Sequence, residues 1–214
     1  LPFWYLASRF AAPSLMTAAQ FSTRSKLWVL ISLAAFLSHN YWLFALFAVV
    51  LLLSLGQKDE DKAGLFLMLF LAVPPFVAKA PGFGLIDHLI ELNYYRLLVL
   101  AVLLPAWVAF DTPADRKFGR TPIDWAVVGL GLLFVFDTEL GQGFTYVMRQ
   151  SVYWFIDMFL PYRCMVILNR QPGSVSKSMN AFVIGVMVLA LISLFEMVKG
   201  WLLYNPLPSA MGVH

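Results

Sequence analysis

Seven stretches of the chain are continuously apolar over lengths that suit helices: 27–38, 41–55, 64–78, 94–110, 123–139, 146–168 and 179–198. A helical membrane crossing takes roughly 17–25 residues. The first two stretches are short. The polar triplet Ser38-His39-Asn40 between them predicts a tight hairpin of two helices, with a single bent helix over 27–55 as the alternative. Pro74-Pro75 must kink or end the third, because proline removes a backbone donor. The runs are long and do not alternate, so strands are not expected. No internal repeat or low-complexity tract interrupts the series.

Composition turns this pattern into a fold class. The chain has 214 residues, 61% of them hydrophobic and 13% charged, against roughly 25% charged in a soluble domain. The prediction is an all-α polytopic transmembrane helix bundle of about seven crossings. The single cysteine, Cys164, excludes an intramolecular disulfide and a cysteine metal site.

The cations sort by loop. Arg24 and Lys26, Lys58 and Lys62, Arg116, Lys117 and Arg120, and Arg170 and Lys177 fall on one side if 27–55 is a hairpin. The opposite loops carry Lys79 alone. The positive-inside rule then places the N-terminus in the cytoplasm and the C-terminus outside. Residues 1–26 lack a basic start and a small-residue cleavage site, and their aromatics beside Arg9 and Arg24 read as a cytoplasmic interfacial segment. The transmembrane domain spans 27–204, and 205–214 form an external tail.

Polar residues within the apolar runs carry the candidate chemistry. In VMRQSVYWFIDMFLPYR, Arg149 and Arg163 lie about 21 Å apart along a helix, each near one edge of the hydrocarbon layer. Either can extend its head to the interface. Asp157, roughly 12 Å below Arg149, is near the midplane and too short to do so. It shares one helix face with Tyr146, Arg149, Gln150, Tyr153 and Arg163, so that face should point into protein, toward a partner for the carboxylate.

Arg96, Arg149, Glu196 and Lys199 all map to the outer boundary. They are read either as anchors with an ion pair or as a cationic pocket for an anionic headgroup, since the arginine fork pairs two oxygens at once. Residues 85–91 show helical spacing and predict a short surface helix, on which His88 or Glu91 is a candidate general base or simply a solvated face. The three histidines are far apart, and no metal, nucleotide or hydrolase motif occurs; neither metal, cofactor nor nucleic acid is expected.

The ordered anchors VMRQSVYWFIDMFLPYRCMVILNR, VLALISLFEMVKGWLLY and PGFGLIDHLIELNYYRLLVLAVLLPAW resemble the N-terminal half of bacterial O-antigen ligase/polymerase-like membrane proteins, in the exopolysaccharide-associated branch. The resemblance covers most of 27–208. It implies an inner-membrane glycosyltransferase that moves a glycan from a polyprenyl-diphosphate carrier on the periplasmic side, without metal or nucleotide sugar. It also implies that Arg96 and Arg149 bind the carrier diphosphate, with Glu196 as an ion partner. Members of that family are roughly twice as long, so the expectation is a piece lacking the C-terminal catalytic half. A structural or assembly subunit of a membrane complex, and a transporter built around Asp157, are the competing expectations.

Overall fold

The computed structural model describes residues 15–82, 88–110, 118–119, 121–139 and 143–213, and the chain over them is mostly helical. Each of the seven apolar stretches contains helix. Helices α1 (Ala18–Leu37) and α2 (Tyr41–Ser54) form the predicted hairpin. The turn closes because the Asn40 side chain accepts from the Trp42 N–H at 2.8 Å, capping α2. Helix α1 begins nine residues before the predicted start, with Thr17 as its cap, so residues 18–26 are continuous with the first apolar stretch. Most of the expected interfacial segment, 1–14, lies outside the described residues.

Helix α3 (Lys62–Leu69) is capped by Asp61 and stops well before Pro74-Pro75. The chain then enters a two-stranded antiparallel ribbon, β1 (Val77–Pro81) with β2 (His88–Asn93). Two expectations are corrected here. A strand pair does occur, and residues 88–91 are extended, not helical; 83–87 lie outside the described residues. The helical spacing of Leu89 and Ile90 is overridden because Val77–Lys79 supply a pairing partner, with Lys79 opposite Glu91. Asn93 ends the ribbon, its side chain accepting from the Arg96 N–H at 2.8 Å.

That cap opens α4, which runs from Tyr94–Leu98 through a π-helical turn, Val99–Leu103, into Leu104–Phe110. Helix α5 is Pro122–Glu139. Helix α6 spans Phe144–Leu168 with a second π turn, Phe155–Phe159. Helix α7 is Ser174–Lys199, and a short turn of helix, α8 (Leu207–Ala210), follows. Tyr41–Lys58, Phe144–Leu168 and Ser174–Lys199 are long and apolar enough to cross a membrane. Each π turn is followed by Leu-Pro, Leu104-Pro105 or Leu160-Pro161. A proline has no N–H for the carbonyl four residues back and collides with it, so a widened turn relieves both problems.

The core lies between α1, α2, α3, α4, α6 and α7. Helices α3 and α7 approach closely at Gly185, where a Cβ would come within 3.2 Å of the Met68 carbonyl oxygen. Helix α5 packs on α6 where Gly131 faces Trp154; a Cβ at 131 would sit 2.4 Å from the indole ring. Gly129, two residues earlier on the same helix, has nothing within 4 Å. One end of the bundle is fastened by charge. Arg24, 1% exposed, reaches Asp59 through Nε at 2.6 Å and Nη2 at 2.9 Å, and Asp61 at 3.1 Å. Burial acts to lower the Arg24 pKa, but Asp59 and Asp61 outweigh it and hold the value above that of an ordinary arginine. Lys62 donates to the carbonyls of Gly56 and Gln57.

Candidate functional site

The polar centre of the molecule is built where β2, the start of α4 and the second π turn meet. Arg96 projects from the first turn of α4, and Asp157 from the π turn of α6. They form a fork-to-carboxylate pair, with Nε at 2.9 Å from Oδ1 and Nη2 at 2.7 Å from Oδ2. This is the partner that Asp157 required, supplied by a residue 61 positions away. Arg96 is 8% exposed, and the Asp157 side chain is 30% exposed. The guanidinium also stacks over the Tyr153 ring, 3.8 Å from its centroid, and Nη1 donates to the Glu91 carbonyl.

The surrounding contacts explain why these residue types are needed. Glu91 sits on the outer edge of β2, so its N–H and C=O have no strand to pair with. The N–H donates to the Tyr153 hydroxyl at 2.6 Å, and the C=O accepts from Arg96. Side chains thus close an edge that backbone leaves open. The Asp157 carbonyl loses its α-helical partner because residue 161 is proline; Tyr95 Oη donates to it at 2.7 Å. The Arg96–Asp157–Tyr153–Tyr95 cluster therefore joins ribbon, α4 and α6 at one point.

Arg149 lies one turn before Tyr153 on α6. Together they line a cavity of about 200 Å³ with Leu89 and Ile90 from β2 and Thr145, Met148 and Val152 from α6. Its lining is mostly apolar, with Thr145, Arg149 and Tyr153 as the residues that carry polar groups. Arg149 also lies over the Tyr146 ring, 5.8 Å from its centroid.

The other predicted residues are distributed differently. Arg96 and Arg149 both lie near Tyr153, Arg96 paired with Asp157 and Arg149 over the Tyr146 ring. Glu196 accepts from the Leu203 N–H at 2.7 Å, closing the turn after α7, where Gly200 takes the left-handed conformation. Lys199 sits in the last turn of α7, a position favoured for a cation. Glu91 contributes its backbone to the Arg96 cluster. The side chain of His88 lies outside the described residues. Arg163, read as an edge anchor, is buried and packs over the Phe118 ring at 5.2 Å.

Tyr153 was already on the Asp157 face in the sequence, whereas Tyr95 is the member of the cluster that the sequence reading did not single out. The signal for Tyr95 was Pro161, which announces an orphan carbonyl. Among the described residues no group of three or more His, Cys, Asp or Glu side chains could hold a metal ion. No family model, curated protein or solved structure matches the chain.

Proposed function

We propose that this chain is the carrier-binding part of a bacterial inner-membrane glycan ligase or polymerase, acting on a polyprenyl-diphosphate-linked glycan at the periplasmic side. The observation that carries the reading is the cavity beside Arg149. It offers an apolar slot from Leu89, Ile90, Met148 and Val152, with the cation Arg149, the phenol Tyr153 and Thr145 also lining it. An isoprenoid diphosphate has the complementary form, an apolar chain ending in a doubly charged head. Arginine suits that head because its planar fork meets two phosphate oxygens at once. Arg96, held by Asp157, positions Tyr153 at the cavity wall in this reading, while Arg149 touches the diphosphate. The catalytic step itself is assigned to no residue of this chain.

The test is binding of farnesyl diphosphate to the purified chain in lipid nanodiscs, measured by calorimetry. Arg149→Gln is expected to weaken binding about tenfold or more, the loss of a charge-assisted pair worth roughly 1.5–3 kcal/mol. Farnesol should bind equally to both proteins. Equal diphosphate affinity for wild type and Arg149→Gln would remove Arg149 from the site. Absence of diphosphate binding altogether would favour the assembly-subunit reading.

A further inference from the structure

The two edges of the β-ribbon are treated differently, and the contrast points to a second site. Both backbone groups of Glu91 point away from β1, as their bonds to Tyr153 and Arg96 require. Glu91 pairs with Lys79, so this is the non-hydrogen-bonded type of antiparallel pair. The N–H and C=O of Lys79 must then point away from β2 as well. Alternation gives the same direction to Val77, which pairs with Asn93. Four backbone groups therefore lie along the free edge of β1. On β2 the corresponding groups of Glu91 are capped by side chains; among the described residues nothing caps those of Val77 and Lys79.

That free edge lines a cavity of about 430 Å³. Its other walls are Asn40–Trp42 at the start of α2 and Met211–Val213 of the tail. Tyr41, whose buried hydroxyl has no partner among the described residues, stands in that wall. An open sheet edge cannot face hydrocarbon, and here it faces a partly open cavity instead. Its volume matches a few residues of one extended strand. Lys79 is exposed and supplies the positive charge at this edge.

We propose that the free edge of β1 is a strand-addition site, which takes a short extended segment of a partner protein with an acidic side chain beside Lys79. Main-chain bonds to Val77 and Lys79 would supply the affinity and the lysine the preference, the division of labour usual in strand addition. The inference does not depend on the carrier-binding reading.

The probe is a blocked heptapeptide of alternating threonine and valine with a central glutamate, added at about 1 mM to match the weakest specific affinities. Amide hydrogen exchange is followed by mass spectrometry on the chain in nanodiscs. The peptide is expected to slow exchange at Val77 and Lys79 at least tenfold and leave Ala78, already in the ladder, unchanged. Lys79→Pro removes an outward N–H without touching the ladder, as proline on an edge allows. It should abolish the protection at Val77 while thermal stability stays at the wild-type value. Lys79→Gln should retain protection by the peptide but lose the advantage of glutamate over glutamine in it. Unchanged exchange at both positions, or full protection of Val77 in Lys79→Pro, overturns the proposal. Protection by maltoheptaose and not by the peptide would also overturn it, in favour of a glycan.

Discussion

Consider removing the Arg96–Asp157 pair one partner at a time and then together. Asp157→Leu leaves a guanidinium that is 8% exposed, still bound to the Glu91 carbonyl and stacked on Tyr153 but without its counter-charge. Stranding one member of a fully buried pair costs about 3–5 kcal/mol. The carboxylate here is 30% exposed, so part of the charge is screened and a loss of about 2–3 kcal/mol is expected. Arg96→Met keeps the aliphatic stem but strands the carboxylate and frees the Glu91 carbonyl, for a similar loss of about 2–3 kcal/mol. In the double variant no charge is left, and the unpaired Glu91 carbonyl alone remains, at about 1–2 kcal/mol. The double variant should therefore be no worse than either single, with a coupling energy of about 3–4 kcal/mol. Reversible unfolding in mixed micelles, followed by circular dichroism, measures all three. Losses that add to within about 0.5 kcal/mol would refute the reasoning, because the two side chains would then be acting independently.

Two further predictions test the packing and the π turn. Gly131→Ala should cost about 1–3 kcal/mol through collision with the Trp154 ring, whereas Gly129→Ala, in open space on the same helix, should be neutral or stabilising by up to about 1 kcal/mol; thermal unfolding of the two variants side by side decides it. Pro161→Ala restores an N–H beneath the Asp157 carbonyl, so Tyr95→Phe, costing about 1 kcal/mol in the parent, should cost measurably less in the Pro161→Ala background; equal costs in both backgrounds would show that the proline does not create the need for Tyr95.

The helices were legible because each rests on a long apolar run with a polar break, and Asn40 between two such runs announces both a turn and a cap. The ribbon was not. Residues 85–91 carry a spacing that helix and strand can share, and the deciding interaction comes from Val77–Lys79, outside any window that contains 85–91. Charge was half legible. Arg24 and Lys62 were counted as loop cations, yet Asp59 and Asp61 turn Arg24 inward while the carbonyls of Gly56 and Gln57 hold Lys62, and a rule that counts only cations discards that information. The need of Asp157 for a partner followed from its depth in an apolar run. Its partner did not, because helix periodicity orders residues within α6 and says nothing about which turn of α4 lies beside it. Past the π turn even that order slips: the widened turn rotates the rest of α6, and Arg163 meets Phe118 instead of continuing the Arg149–Tyr153 face.

The brevity of α3 bears on how the protein is made. Eight residues of helix rise about 12 Å, less than half of a hydrocarbon layer about 30 Å thick. Such a segment cannot enter a bilayer as an independent unit during synthesis, and the ribbon after it has an edge that must be closed by α6, still unsynthesised when β2 emerges. The Glu91 N–H therefore finds its partner only once Tyr153, 62 residues further along the chain, has been made.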